Sequence, residues 1–235
     1  MQQNPESVNA RGVGRVLVCG ADAETFLQGQ LTQDVRKLAT GARLLAGYCS
    51  PKGRLLATMW LQLTPDGVVL EMHRSVLEAT VKRLGLYVLR SKVAFTAPEI
   101  AVAESDDESW RRAQIRAGVP TIFPATSDHF VPQMCNLDLL GAISFDKGCY
   151  TGQEIVARLH YLGEVKRRMF RAHVSGEASP GDAAFAAGNA QSVGEIVDAI
   201  DNEALIVLQT AHVTADLRLG APDGAAITQL ETPGP

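Results

Sequence analysis

The sequence lacks the cysteine pairs and histidine spacings that mark several classes of metal-binding protein. Its 235 residues include four cysteines, and no two of them form a Cys-x-x-Cys pair of the kind found in zinc and iron–sulfur sites. The five histidines show no His-x-His or His-Glu-x-x-His spacing. We therefore expect no metal site, and a disulfide framework is not expected at this length.

Long apolar runs and a charge excess are also missing. No apolar run reaches the length that spans a membrane, and residues 1–6 are polar where a signal peptide would be apolar. Charged residues make up 20% of the chain, with a formal net charge of -4, which argues against disorder and against general DNA binding. These features favour a cytoplasmic protein without membrane or DNA contacts. A hydrophobic content of 46% is ample for the core of one or two domains.

The most informative stretch is 145–154, Phe-Asp-Lys-Gly-Cys-Tyr-Thr-Gly-Gln-Glu. Thr151 and Glu154 have the spacing of a capping box, so we predict a glycine loop that leads into a helix capped by Thr151. The dipole of a helix favours negative charge at its N-terminus. Cys149, close to Lys147, is therefore predicted to have a lowered pKa and a reactive thiolate. The alternative is a small buried residue in a turn.

Apolar stretches separated by turn residues dominate the first part of the chain. Ser-Pro-Lys-Gly at 50–53 and Thr-Pro-Asp-Gly at 64–67 predict the two turns of an antiparallel meander. Asp22 and Ser75 each precede apolar residues at helical spacing, so both are predicted to cap helices. The predicted strands are 13–18, 44–49, 55–63, 68–72 and 92–96.

The pattern changes after residue 163. Before it, helices are predicted over 110–117 and from Thr151 to about Tyr161. After it, short strands separated by turns predict a small all-β module, either a barrel or a sandwich. The predicted strands of this module are 165–174, 193–200, 204–208 and 225–230. We therefore divide the chain into an α+β region, 1–163, and a β-barrel module, 164–235.

Several stretches together resemble one family. They are 20–23, 26–35, 49–54, Trp110, 116–120, 132–133, 136–137, 147–154, Arg158 and 166–168. In this order the chain resembles the YgfZ family of folate-binding proteins, relatives of the glycine cleavage T-protein, which is an aminomethyltransferase. The Lys-Gly-Cys-Tyr-x-Gly-Gln-Glu block at 147–154 is specific to that family, and the resemblance covers nearly the whole chain.

The resemblance implies an α+β fold, in which a T-protein-like α/β folate-binding module and a small C-terminal β-barrel surround a folate pocket. It implies tetrahydrofolate or a derivative as the cofactor. It also implies a role in the assembly or repair of iron–sulfur proteins, through which tRNA modification is affected indirectly. The implied partners are folate and iron–sulfur enzymes or their assembly proteins, and a homodimer is left open.

Two departures from the family pattern bear on activity. Residues 91–93 and Trp110 lie close together in sequence, so this chain resembles a shortened member with a reduced ferredoxin-like part. The catalytic aspartate of the T-protein falls on Leu56 or Ala57, neither of which can serve as a base. The resemblance therefore implies an accessory protein rather than an aminomethyltransferase, and whether any reaction is catalysed stays open.

The resemblance assigns site residues one by one. Trp110 matches the family's pocket tryptophan and is expected to stack on the pterin ring. Gln114 lies on the same helix face, four residues on, and either bonds the pterin edge or lies on the surface. Tyr150 and Gln153 are expected to contact the cofactor as parts of the motif.

Charged motif residues have two interpretations each. Lys147 either lowers the pKa of Cys149 or binds an anion, or it is a solvated loop charge. Glu154 and Arg158, four residues apart, either form a helical ion pair or line the cofactor site, where Arg158 would bind a folate carboxylate. Cys149 acts as a nucleophile, a redox sensor or a transient ligand, although one thiolate cannot hold a cluster alone.

Three other functions are compatible with these residues. The first is a folate-dependent one-carbon (aminomethyl) transferase. The second is a hydrolase or acyl transferase in which Cys149 is activated by His160 or His129. The third is a non-catalytic interaction protein that has lost folate binding along with its middle segment. The basic strand 166–171 is a solvated face or a docking patch for an acidic partner or RNA.

Overall fold

The computed structural model describes residues 12–97 and 106–233. The polar N-terminal stretch 1–6 lies outside these ranges. The strands are β1 Val13–Cys19, β2 Arg43–Cys49, β3 Leu55–Thr64, β4 Gly67–His73, β5 Ala94–Thr96, β6 Arg167–Val174, β7 Ala183–Ala186, β8 Ser192–Ile200, β9 Glu203–Gln209, β10 Leu217–Leu219 and β11 Ala226–Glu231. The α-helices are α1 Ala23–Gln28, α2 Arg74–Gly85, α3 Asp107–Ala117 and α4 Gln153–Leu162.

The first part of the chain forms a five-stranded antiparallel sheet in the order β2-β3-β4-β1-β5. The predicted meander of β2, β3 and β4 is confirmed, with Leu45 opposite Trp60 and Trp60 opposite Glu71. Because side chains alternate along a strand, the side chains of Leu45, Trp60 and Glu71 all point to the same side of the sheet. Their sequence neighbours, Met59 and Leu61 among them, face the other side.

The two faces of the sheet pack against different parts of the protein. One face packs against α1 and α2 in a hydrophobic cluster that includes Phe26, Leu27, Met59 and Leu84. The opposite face contributes residues such as Leu45 and Leu55 to a second cluster, which also contains Ile115 of α3, Val156 of α4 and Val207 of the barrel. The sheet therefore lies between a helical layer and the rest of the protein.

The C-terminal part is a closed six-stranded barrel in the order β10-β11-β6-β9-β8-β7. The barrel prediction is confirmed, and four of its strands were found from their apolar runs. The short strands β7 and β10 were missed because Ala183–Ala186 and Leu217–Leu219 are too short to show alternation. The predicted domain boundary at residue 163 falls between α4 and β6. It stays a prediction, because residues from both sides of it pack together in the second hydrophobic cluster.

Helix α3 connects the sheet to the barrel by ion pairs. Arg111 donates to the fully buried carboxylate of Asp198 on β8, from Nε at 3.0 Å, and to the carbonyl of Ala199. Arg112 pairs with Asp201 at 2.8 Å, and Arg116 pairs with Glu203 at 2.6 Å. Three arginines on α3 thus pair with three acids on β8, β9 and the turn between them.

Two predicted helix caps are wrong. The side chain of Asp22 makes no capping bond in α1 and accepts instead from the backbone N–H of Lys92 at 2.7 Å. Helix α2 begins one residue before Ser75, and the side chain that accepts from its first turn is that of His73. The spacing of the apolar residues predicted Ser75 as the cap. It carries no information on the side chain of His73, which turns back to accept from the backbone N–H of Ser75.

The buried acid of the α3–barrel contact gives a test by pH. Burial raises the pKa of Asp198 to about 6 from its ordinary value of 3.8, against the opposing effect of its bonds with Arg111. A raised folded-state pKa contributes stability that is complete below the unfolded pKa and is lost as the pH rises through about 6. We expect the free energy of unfolding of the wild type, relative to Asp198→Asn, to fall by about 2 kcal/mol between pH 4 and pH 7.

Urea unfolding at about pH 4 and pH 7 measures this difference. Asp201→Asn is the matched control, because it removes an exposed carboxylate from the neighbouring Arg112 pair, and exposed pairs contribute little. A wild-type advantage that is constant or grows with pH would contradict the assignment.

Candidate functional site

The motif loop begins helix α4 differently from the predicted capping box. The helix starts at Gln153, and its N-cap is Gly152 with φ of 82° and no side-chain capping bond. The hydroxyl of Thr151 contacts Gln30 Oε1 at 3.4 Å instead. A Cβ at Gly152 would lie 2.5 Å from the Ser50 carbonyl oxygen. Close packing against the turn before β3 therefore decides how this helix begins.

Lys147 is buried, so it is not a solvated loop charge. Its Nζ donates to the carbonyls of Leu31 at 2.7 Å and Gln33 at 2.8 Å, and lies 5.1 Å from the ring centroid of Tyr150. Burial lowers the pKa of Lys147 to about 8. Its ammonium ties the motif loop to the chain that follows α1, which is a structural role that the sequence did not indicate.

Cys149 is exposed, while the remaining three cysteines are buried or half-buried, and all four are free. Burial raises the pKa of Cys49 to about 12 and that of Cys135 further. Cys149 is therefore the most accessible of the four thiols. The interpretation of Cys149 as a small buried residue is wrong.

The remaining motif residues divide into buried and exposed. Tyr150 is buried, which raises the pKa of its phenol, and Gln153 is half-buried. Glu154 and Arg158 are exposed and form the helical ion pair, with 2.9 Å between the carboxylate and guanidinium. The pair satisfies both charges, although such exposed pairs contribute little to stability.

Trp110 and Gln114 lie together on α3, on the face that meets the sheet. Both are half-buried and line a cavity with Trp60, whose Nε1–H donates to Gln114 Oε1 at 3.2 Å. The cavity volume is about 10 Å³, which is room for about one water molecule at most. A pterin ring therefore has no enclosed space between the two indoles.

Trp60 was missed as a site residue. It lies on β3 between Leu45 and Glu71, and the Arg43 guanidinium lies 5.1 Å from its ring centroid. Glu71 is buried and bonds both Arg43 and Arg15, the latter from Nε at 2.6 Å. Strand alternation alone could have identified Trp60, because it faces away from the buried Met59 and Leu61.

The predicted site residues form two groups rather than one. The cavity beside Trp110 is lined by residues that include Leu45, whereas the motif loop packs against Ser50, which directly follows β2. Ser50 is five residues beyond Leu45, so at about 3.4 Å per residue these contact points are up to about 17 Å apart. Cys149 and the other motif residues do not line the cavity beside Trp110 in the described part of the chain.

The position of the missing T-protein aspartate has an acidic neighbour. Ala57 is fully buried and Leu56 half-buried, as residues of β3. The backbone N–H of Asp128 donates to the Leu55 carbonyl at 2.7 Å, and its carboxylate accepts from the Ser50 hydroxyl at 2.7 Å. A carboxylate is thus present near this hairpin from a distant part of the chain, which sequence counting could not detect.

No three His, Cys, Asp or Glu side chains in residues 12–97 and 106–233 converge as a metal site. None of the helices described there combines the length and the apolar character needed to cross a bilayer.

The fold is that of the aminomethyltransferase class. The crystal structure of glycine cleavage system aminomethyltransferase T from Bartonella henselae matches 97% of this chain and 88% of that chain, with a TM-score of 0.69. Sequence identity is 12%, so this likeness concerns the fold alone. The predicted T-protein-like α+β fold with a C-terminal barrel is confirmed.

The chain belongs to the YgfZ family. A tRNA-modifying protein YgfZ from an Enterobacter species is 29% identical over 227 residues, covering 69% of this chain and 69% of that protein. An uncharacterized protein from Haemophilus influenzae is 37% identical over 190 residues, covering 65% of this chain and 68% of that protein. No protein-family model matches the chain.

The Enterobacter alignment also bears on chain length. Its 227 positions exceed 69% of a 235-residue chain, so the relative carries additional residues inside the aligned region. This agrees with the interpretation of the chain as a shortened member.

The two motif glycines offer a matched test of the loop geometry. We expect Gly152→Ala to lower the free energy of unfolding by about 2–4 kcal/mol, because its positive φ and its contact with the Ser50 carbonyl both exclude a side chain. A Cβ at Gly148 meets no atom within 4 Å, so Gly148→Ala should change stability by less than about 0.5 kcal/mol. Urea denaturation of both variants distinguishes them, and equal losses would refute this account of the loop.

Proposed function

We propose that this protein is a folate-binding accessory protein that acts in the assembly or repair of iron–sulfur proteins and thereby affects tRNA modification. Membership of the YgfZ family and the name of the Enterobacter relative support the link to tRNA modification. The folate part rests on the resemblance to the T-protein. Tetrahydrofolate or a derivative is the proposed cofactor.

The observation that carries the proposal is the convergence of two tryptophans. Trp60 and Trp110 come from a strand and a helix that are 50 residues apart, and both line one small cavity with Gln114. Aromatic rings and a side-chain amide are the groups that recognise a planar heterocycle and its hydrogen-bonding edge. Gln114 Oε1 already accepts from Trp60, so its NH₂ group is the part that would donate to the pterin.

The close packing of this cluster limits where the ring can bind. Because the cavity has room for about one water molecule at most, the pterin would stack on the accessible part of the half-buried Trp110 ring. Arg43 lies beside Trp60 at the exposed edge of the sheet. Its guanidinium would bind a carboxylate of the folate tail, since arginine pairs with carboxylates in a bidentate manner.

We further propose that the motif loop is a separate functional region. Cys149 is the functional thiol, and its exposure makes it available to a partner protein. One thiolate cannot hold an iron–sulfur cluster, so any cluster would be shared with that partner. Gln153, Glu154 and Arg158, initially assigned to the cofactor, would then contact the partner, while Lys147 and the buried Tyr150 hold the loop in place.

A second candidate function is an interaction protein that no longer binds folate. The cavity of about 10 Å³ favours it, because pockets that bind small molecules usually enclose several hundred Å³. Aminomethyl transfer has less support, since neither Leu56 nor Ala57 supplies a carboxylate.

A fluorescence titration separates these candidates. In a Trp60→Phe background Trp110 is the sole tryptophan, and we expect saturable quenching by tetrahydrofolate or 5-formyltetrahydrofolate in the micromolar range. Loss of ring stacking in Trp110→Leu should weaken binding about tenfold by calorimetry. Leu139→Ala, which removes an exposed side chain far from this cluster in sequence, is the control.

The titration has two outcomes that reject folate binding at this site. Absence of binding to either folate by both methods would favour the interaction protein. Binding that is unchanged in Trp110→Leu would move the site elsewhere.

Separation of the two regions predicts separate phenotypes. We expect Cys149→Ser to leave folate affinity within twofold of the wild type, because the motif loop packs against the turn after β2 and does not line the Trp110 cavity. In cells that lack this protein, the same variant should fail to restore nucleosides made by iron–sulfur tRNA-modifying enzymes, measured by mass spectrometry of bulk tRNA. Cys19→Ser is the control, since Cys19 is a half-buried thiol outside the motif. Full restoration by Cys149→Ser would remove the thiol from the proposal.

A further inference from the structure

A serine, a histidine and an aspartate are hydrogen-bonded in series at the start of α2. The Ser75 hydroxyl lies 2.6 Å from His73 Nδ1, and His73 Nε2 lies 2.9 Å from Asp107 Oδ1. Asp107 begins α3, so this series joins two elements that are 34 residues apart in sequence. The function proposed above uses none of the three side chains.

The hydrogen bonds determine which nitrogen of His73 carries the proton. Nδ1 accepts from the backbone N–H of Ser75 at 3.3 Å, so in the neutral ring the proton is on Nε2. Nε2–H then donates to Asp107, whose Oδ1 also accepts from the backbone N–H of Gly12 at 2.8 Å. A carboxylate that fixes the tautomer of a histidine, which in turn bonds a hydroxyl, is the arrangement that activates a serine nucleophile.

The surroundings keep the histidine neutral and in place. His73 is buried, and its ring lies 4.7 Å from that of Phe123 between centroids. Burial lowers the pKa of His73, and the nearby Arg111 acts in the same direction, while Asp107 opposes both. An imidazole that is unprotonated at neutral pH can accept the proton of the serine.

Ser75 is half-buried and opens into a groove with a volume of about 930 Å³. Apolar side chains of the groove lining include Leu77, Val81 and Phe95. Its charged groups are three cations, Arg15, Arg74 and Lys82, and one carboxylate, Glu78. Its size is within the range of small-molecule sites.

We propose that Ser75, His73 and Asp107 form an acyl-transfer site that hydrolyses carboxylic esters with an apolar acyl group and an anionic leaving part. Ser75 Oγ attacks the ester carbonyl, and its proton passes to His73 Nδ1. The tetrahedral adduct collapses, the C–O bond to the alcohol breaks, and the departing oxygen takes the proton from His73. Water then attacks the acyl-serine, again with His73 as base, and releases the carboxylic acid and free Ser75.

The helix supplies a group for the developing negative charge on the carbonyl oxygen. Backbone N–H groups in the first turn of a helix have no acceptor within it. Arg74 N–H donates to the Gly12 carbonyl and Ser75 N–H to His73, which leaves the N–H of Val76 for the oxyanion. Arg74 and Lys82 would attract the anionic part of the ester.

A purely structural role for this series makes different predictions. Ser109 provides the comparison, because its hydroxyl bonds the N-cap carboxylate of Asp106 at 2.7 Å in the first turn of α3. Ser109 therefore occupies an equivalent position without a histidine. If Ser75 served only to order a helix start, Ser75 and Ser109 would behave alike toward serine-directed reagents.

Labelling of the full-length protein with a fluorophosphonate probe tests the proposal. We expect covalent modification at Ser75, located by peptide mass spectrometry, and hydrolysis of p-nitrophenyl butyrate above the buffer rate. Ser75→Ala should abolish both. Asp107→Asn keeps an acceptor for His73 but removes the charge, and should slow labelling about 100-fold.

His73→Asn separates catalysis from capping, because asparagine is a good N-cap residue. This variant should keep its urea midpoint near that of the wild type yet lose labelling. Ser109→Ala should label as the wild type does. Absence of labelling and of ester hydrolysis in the folded wild type, or modification at a serine other than Ser75, would overturn the proposal.

Discussion

The buried pair between Arg111 and Asp198 is the interaction on which the arrangement of this protein depends. It fixes α3 against the barrel, and the side chains of α3 then meet the sheet on the opposite side. Removing one partner of such a pair leaves a buried charge without compensation, which typically costs several kcal/mol. The exposed pairs of Arg112 and Arg116 contribute little to the free energy of unfolding. They help to align α3 with the strands of the barrel.

The position of α3 determines two sets of side-chain contacts with the sheet. Trp110 and Gln114 are directed at Trp60 on the sheet, and Asp107 is directed at His73. A shift of α3 by one turn, about 5.4 Å, would separate all of these contacts together. The cluster around Trp110 and the serine–histidine–aspartate series are therefore both positioned by one helix.

The motif loop is constrained by other means. Gly152 approaches the Ser50 carbonyl too closely for any side chain, and Lys147 buries its ammonium against two carbonyls of the segment after α1. In both contacts the group that the loop meets is a backbone carbonyl of another segment. Neither contact uses the side chain of Cys149. Cys149 is consequently left exposed on a rigid support, which is the arrangement expected of a thiol that must meet a partner.

Sequence alone determined the class of fold and singled out candidate site residues, whose roles stay predictions. Turn residues and alternation gave the meander and most of the barrel, because these signals act over a few residues. The family motif likewise marked Cys149 and Trp110. The sequence could not show the role of Lys147, the acidic neighbour Asp128 or the partner of Trp110. It also could not show that the predicted site residues divide between two regions of the β2–β3 hairpin.

Those features were decided by tertiary structure, for a common physical reason. Each depends on contacts between segments far apart in the chain, such as Lys147 with Leu31 and His73 with Asp107. Local propensities and spacings carry no information about such pairs. The capping box failed for the same reason, because the packing of Gly152 against Ser50 outweighed the preference of Thr151 for an N-cap.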